Sequence, residues 1–516
     1  MVPFSPLLID GKLVESSTKE TFEVRNPYSG DVVGRSASAS STDCKTAIES
    51  AQQAFKSWEH FGLAQKRDIF LKAADIVSTE EWKAKIVEAI STETAATEWW
   101  SVFNWVMGAN TLKSQAGLVN ELRGDSFPSM NMPGGTVVTQ RRAKGVIFAV
   151  APWNAPFTLS LRAVACAVIC GNTVVLKSSE YSPRSQLLAA ELLLEAGLPP
   201  GVLNFISIAR DKVPGLTAEI IAHPAVRLVN FTGSDRVGRI LAMEAGKHLK
   251  PCILELGGKA PTIVSSSSIT HCHAKFLPLP VDRMTPTFLV KVLNDASIQD
   301  AAKAIVFGSM AHSGQICMST ERVIVQSGVA QELTNAVRSL TQSLRAGNTT
   351  DDPKAQLSAL FTESSAENVV NMLKSAKDDG AEVILGDLDR KGAVVQPHLL
   401  TGVKPGMALW ERESFGPVVA FTIVDSVDEA VELANQTDYS LSAAVWTSDL
   451  YQAQQISASI HSGYVNINGP TVHSEPILSL VGLGGSSGYG RFDIEHFTDK
   501  RVIVTHPLGR TYPLVS

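Results

Sequence analysis

The run from Gly145 to Leu176 is the most apolar part of the chain, and it limits the fold more than any other. It holds Pro152, Asn154, Pro156, Arg162 and Gly171, so it cannot be one membrane-spanning helix, which needs about 20 predominantly apolar residues. It reads instead as strand, loop, helix and strand. Gly145-Val-Ile-Phe-Ala-Val-Ala-Pro-Trp-Asn-Ala-Pro156 gives the first strand and loop, 158–170 a helix, and Asn172-Thr-Val-Val-Leu-Lys177 a short buried strand. A Pro-led helix from 183 and a strand near 202–208 follow. Val229-Asn-Phe-Thr-Gly-Ser-Asp-Arg-Val-Gly238 then reads as strand, tight turn and helix start. Strands alternating with helices predict a parallel, doubly wound sheet. Asn154 then stands at a strand's carboxyl end, where such sheets bind ligands.

A second α/β pattern begins at Ala301, with a helix to about 313, a strand over 322–326 and a helix from 330. Further strands are expected near 383, after Glu413-Ser-Phe-Gly-Pro-Val-Val419 and over 441–446, with a helix over 427–437. Residues 7–36 read as short strands and turns. Ser-Thr-Asp caps a helix over 41–60, and 64–120 is mostly helical by period. Trp99, Trp100, Phe103 and Trp105 cover more than one face of a helix. They suit either packing between two layers or one wall of a pocket for a flat ligand. Residues 121–143 predict an exposed hairpin, and 497–508 an edge strand that reaches another subunit.

A chain of 516 residues requires two or three domains. The net charge of −6, without a basic block, argues against a nucleic-acid or polybasic membrane partner. Six cysteines with no CxxC pair predict reduced, intracellular thiols. With no secretory or lipidation signal visible, the expected location is cytoplasmic.

Two stretches carry candidate chemistry. Cys317 follows a Gly-Gln turn in Phe307-Gly-Ser-Met-Ala-His-Ser-Gly-Gln-Ile-Cys-Met-Ser-Thr320, and Glu255 precedes a Gly-Gly pair in Leu254-Glu-Leu-Gly-Gly-Lys-Ala-Pro261. A thiolate is a nucleophile, and a carboxylate in an apolar cleft takes a proton from a thiol or a water. Taken by itself, Cys317 reads equally as an inert core thiol. The Gly233-Ser234 turn suits an anion at a helix start, but most such turns only redirect the chain, and no GxGxxG is present.

In order, PWNAP, LKSSE, FTGS, LELGGKAP, GQICMST, ESFGPV and SGYGR resemble the NAD(P)-dependent aldehyde dehydrogenase superfamily over nearly the whole chain. LELGGKAP, GQICMSTER, NGPTVH and GGSSGYGRF look most like its salicylaldehyde and vanillin dehydrogenase branch. The resemblance implies an α/β fold. Its parts would be a Rossmann-like NAD-binding domain (1–124 and 144–256), an α/β catalytic domain (257–470) and a small β oligomerisation arm (125–143 and 485–516). It implies Cys317 as nucleophile, Glu255 as base and Asn154 as oxyanion donor. For NAD it implies Trp153, Lys177, Glu180, Phe231, Gly233, Ser234, Val237, Leu256, Glu413 and Phe415. It implies an aldehyde substrate, aromatic by branch, with an aliphatic aldehyde or semialdehyde as the other reading. It also implies a homodimer or homotetramer and no metal. His271-Cys-His273 is too closely spaced to converge on one ion.

The chain departs from the pattern between Glu255 and Cys317. The excess is 264–291, a stretch with three prolines and no period. Reading Ala260-Pro-Thr-Ile-Val264 straight into Leu293-Asn-Asp-Ala-Ser-Ile-Gln-Asp300 restores the pattern. A translated intron, a surface loop and an inactivating insertion are the three readings of this segment.

Overall fold

The computed structural model describes residues 2–265, 295–348, 352, 354–476, 482–512 and 514. Except for 264 and 265, the 264–291 segment lies outside the described residues, as does His271-Cys-His273.

The first sheet is built on five parallel strands: β1 Val146–Val150, β2 Thr173–Lys177, β3 Leu203–Ile206, β4 Val226–Thr232 and β5 Cys252–Glu255. Their spatial order is β3-β2-β1-β4-β5. The order reverses between β1 and β4, which opens the crevice where dinucleotides bind in such sheets. Leu7–Ile9 adds an antiparallel strand beside β3, and Gly488–Tyr489 adds one beside β5. The chain after Gly485 therefore first joins this sheet. Phe492, Ile494 and Phe497 also enter its core.

Strands β1 and β2 are β-branched and almost wholly buried, as a sheet covered on both faces demands. Helix α1 Glu98–Gly117 and helix α2 Pro156–Ile169 cover one face together with α3 Pro183–Glu195. Helix α2 begins with Pro at its first turn, where no N–H is missed, two residues before the predicted start. It is apolar nearly all round because it lies between β1 and α1. Helix α4 Asp235–Lys247 lies on the other face and shares a core with β4 and β5.

The second sheet holds β6 Ala260–Val264, β7 Thr320–Gln326, β8 His398–Thr401, β9 Val418–Val424, β10 Ser442–Trp446 and β11 Tyr464–Ile467. They run parallel in the order β8-β9-β7-β6-β10-β11, with Glu382–Leu385 antiparallel at the β8 edge. Helix α5 Asp295–Met310 leads back to β7. From Pro261 onward, strand β6 runs in register to its last residue, Val264, which pairs with Val325 and Trp446.

The predicted hairpin and edge strand meet as one ribbon: Thr136–Ala143 pairs antiparallel with Ser126–Pro128 and with Thr498–Thr505. The first long helix is capped by Ser40, one residue before the predicted Ser-Thr-Asp, whose Asp43 completes a reciprocal capping box with it. Three helices of ten or more residues were not foreseen: Val213–Ala222, Glu363–Asp378 and Leu450–Ser459. The first is disguised by Pro214-Gly215, a turn signal that a helix tolerates in its first turn. Among the described residues no helix is long and apolar enough to cross a membrane.

Candidate active site

Cys317 sits between α5 and β7, at the end of a loop wound in an unusual way. His312, Ser313 and Gly314 are successively left-handed, at φ 48°, 57° and 76°. Such a backbone costs about 1–3 kcal/mol at each non-glycine residue and needs support. Ser313 Oγ donates to Ser358 O (2.8 Å), Ser319 Oγ to Gly314 O (3.1 Å), and Phe361 N to Gln315 Oε1 (2.9 Å). Gly314 is required, since a Cβ there would stand 2.0 Å from Gly416 O.

Asn154 follows β1, as predicted, and meets this loop. Its Nδ2 donates to Gln315 O (2.9 Å), while its own carbonyl accepts from Trp100 Nε1 (2.7 Å). One N–H of the amide is thus anchored, and the other is left to serve a ligand.

Glu255 ends β5 and is buried. Its Oε2 is paired with Arg162 of α2, and its Oε1 accepts no hydrogen bond among the described residues. Burial, and then the Glu255 charge, push the Cys317 thiol well above the usual thiol range, while Arg162 pulls it down. The resting sulfur is therefore a thiol beside a carboxylate.

The Gly257-Gly258 pair is dictated by what approaches it. A Cβ on Gly257 would meet Glu413 Oε2 at 2.6 Å, and one on Gly258 would meet Cys317 O at 2.0 Å. Gly258 N donates to Glu413 Oε1 (2.9 Å), and burial raises the Glu413 carboxyl well above its ordinary value. Phe415, at φ 51°, is held with Ser414 by their N–H groups on Glu321 (3.4 Å and 2.9 Å), and Glu321 in turn pairs with Lys259. Trp153 stacks on Phe361 (4.2 Å between centroids) and meets Phe415 edge-on (6.0 Å).

The remaining predicted residues line the carboxyl ends of the first sheet. Lys177 ends β2, buried, with Nζ donating to Ser178 O (2.6 Å); burial lowers its pKa, and nearby Glu180 opposes that. Phe231 lies in β4, and its ring fills the space a Cβ on Gly233 would need. Val237 and Leu256 pack in the core beneath, with Leu256 pressed onto Gly238. Ser234 caps α4, yet its side chain makes no capping bond, so the helix start is open to an anion. This open turn at the switch-point crevice fits a dinucleotide pyrophosphate.

The aromatic helix divides its roles. Trp105 Nε1 donates into the helical layer at Val77 O (2.5 Å), whereas Trp100 stacks on His312 (4.9 Å), five residues before Cys317. Trp99 packs edge-on against Phe307 (5.7 Å).

Arg162, Lys259, Glu321 and Phe361 were not foreseen as site residues. A charge inside an apolar helix was the signal available for Arg162, because buried charges require partners.

The fold defines a dinucleotide-binding α/β protein with a second sheet completing the site. The profile of the aldehyde dehydrogenase family matches residues 13–268 and 289–505. A vanillin dehydrogenase of Pseudomonas sp. (strain HR199 / DSM 7063) is 40% identical over 514 residues, covering 99% of each chain. The crystal structure of a salicylaldehyde dehydrogenase from Pseudomonas putida G7 complexed with salicylaldehyde superposes with a TM-score of 0.90 at 35% identity, over 99% of this chain and 100% of that one. An NADP-dependent glyceraldehyde-3-phosphate dehydrogenase from Bacillus halodurans C-125, complexed with NADP, superposes at 0.85 with 28% identity, over 97% and 99%. The chain belongs to the aldehyde dehydrogenase family. It is an NAD(P)-dependent aldehyde dehydrogenase.

Proposed function

We propose that the protein oxidises aromatic aldehydes to carboxylic acids with NAD+, through a covalent adduct on Cys317. The observation that carries this reading is the convergence of three groups. A thiol rests beside the Glu255 carboxylate, and the Asn154 amide is fixed on the same loop by Gln315.

Glu255 accepts the Cys317 proton, and the sulfur attacks the aldehyde carbon to give a thiohemiacetal. The oxyanion accepts from the free N–H of Asn154 and from the Cys317 backbone N–H. One such donor contributes roughly 3–4 kcal/mol to the transition state. The bound nicotinamide supplies the acceptor for the hydride and its two electrons. The acyl group then remains on Cys317 as a thioester. Glu255, its first proton released to solvent, takes one from a water whose oxygen attacks the acyl carbon. The carbon–sulfur bond breaks and the acid departs.

The aromatic preference is supported by Trp100, stacked beside the catalytic loop, and by Trp153, Phe361 and Phe415 next to it. Two of the three relatives described above, the vanillin and the salicylaldehyde dehydrogenase, carry names of aromatic aldehydes. A semialdehyde would want a free cation, whereas Arg162 is committed to Glu255. NAD is favoured over NADP because Glu180, beside Lys177, would repel a 2′-phosphate.

The test is the formation of reduced nicotinamide with benzaldehyde-type and aliphatic substrates. It is run for the chain as it stands, for Cys317→Ala and for a chain lacking 264–291, in which Val292 takes the place of Val264 in β6. Equal turnover with and without the thiol refutes the mechanism. Preference for the aliphatic substrate refutes the aromatic assignment. Activity confined to the shortened chain marks the segment, which the family match skips over 269–288, as inactivating.

A further inference from the structure

We propose that Arg162 is a positioning residue of the reaction: through its ion pair it holds the Glu255 carboxylate in place beside Cys317. The inference rests on the roles just proposed for Glu255 and Cys317.

Arg162 lies in α2, eight residues beyond Asn154, so one helix carries the guanidinium and follows directly from the oxyanion donor. Its Nη2 pairs with Glu255 Oε2 and also donates to Thr232 Oγ1 (3.0 Å), the last residue of β4. The guanidinium stacks over the Phe492 ring, 5.0 Å from its centroid, and its Nε is buried without a partner among the described residues. It is clamped between a strand end and an aromatic face, and Glu255 is its ionic partner. Glu255 is 1% exposed. A carboxylate so buried, with no cation, takes up a proton and ceases to be a base. Pairing through Oε2 supplies the cation and leaves Oε1 without a partner among the described residues. The groups that face the pair are the Cys317 thiol, the Thr232 hydroxyl and, acting on the same thiol, the Glu413 carboxylate. Arg162 therefore balances the negative charge that Glu255 brings to the nucleophile.

The experiment compares Arg162→Gln, Arg162→Lys, Thr232→Val and Cys317→Ala in the full-length protein with NAD+ and benzaldehyde, across pH. Arg162→Gln is expected to lower steady-state turnover about 100-fold, the scale of a misplaced catalytic group. The acid limb of its pH profile is expected to move up by about 1–3 pH units, as loss of a neighbouring cation implies. Arg162→Lys restores most of the profile. Thr232→Val, which removes one anchor and keeps the volume, shifts it in the same direction by less. If Arg162→Gln does not fold, Thr232→Val decides by its profile. A profile unchanged in the folded variants, or Lys and Gln equally impaired with no shift, overturns the proposal. Turnover surviving in Cys317→Ala overturns the underlying reading instead.

Discussion

Two buried acid–base pairs, anchored at Glu255 and at Lys259 four residues further on, behave differently. Lys259–Glu321 is saturated: the carboxylate takes the lysine ammonium together with the N–H groups of Ser414 and Phe415. Arg162–Glu255 is not: Glu255 Oε1 and Arg162 Nε have no partner among the described residues. Both carboxylates are nearly inaccessible, so burial does not separate them. Unused hydrogen-bonding capacity does. A saturated pair fixes a loop, here the one carrying Glu413 and Phe415. A pair with a vacant lone pair can accept a proton.

The largest effect is expected at the open pair. Glu255→Gln keeps the shape and removes the base, and turnover should fall about 10²–10⁴-fold, the range for general-base catalysis. The amide can still accept from Arg162, so the loss of thermal stability should be smaller than at the saturated pair. Steady-state kinetics beside calorimetry checks this. Retained turnover would mean that the vacant oxygen has no chemical use, and the contrast between the pairs would dissolve.

The saturated pair should answer in stability. Lys259→Met leaves Glu321 charged and buried without its cation, and breaking such a pair costs about 3–5 kcal/mol. Urea unfolding followed by tryptophan fluorescence measures it. The active fraction should retain its aldehyde KM, because neither residue is asked to touch the aldehyde. A stable variant with a large kinetic defect would place Lys259 in the chemistry and reverse the comparison.

The same contrast explains what was legible in the sequence. The run from β1 to β2 carries its punctuation locally, in Pro152, Pro156 and Gly171, so its order and the place of Asn154 could be read directly. Cys317 and Glu255 could be settled only by resemblance, since Ser313-Gly314 marks a turn before Cys317 but not that His312 and Ser313 would also be left-handed. The pairs themselves could not be read. Arg162 and Glu255 are 93 residues apart, Lys259 and Glu321 62 apart, and each pair is joined across elements. Local period says that a position is inside; it does not say which charge will be met there.

Glu93 is an intermediate case and gives the smallest, sharpest test. It is buried against the start of α3, where Arg184 N (2.9 Å), Ser185 N (2.8 Å) and Ser185 Oγ (2.6 Å) donate to it, with no cation bound directly. Burial, outweighing these bonds, raises its pKa from 4.5 to about 7. Below 4.5 the carboxyl is protonated both folded and unfolded, so it adds no pH dependence. Between 4.5 and about 7 the folded chain keeps a proton that the unfolded chain has released, and stability falls as pH rises. The slope is at most ~1.4 kcal/mol per pH unit and ends above about 7. Glu93→Gln should remove this slope, so the stability difference between variant and parent grows in the variant's favour from pH 5 to about 7. Urea midpoints of both proteins at those pH values measure it. Parallel pH dependences would show that donors without a cation suffice to keep a buried carboxylate ionised, and then Arg162 would not be needed to keep Glu255 a base.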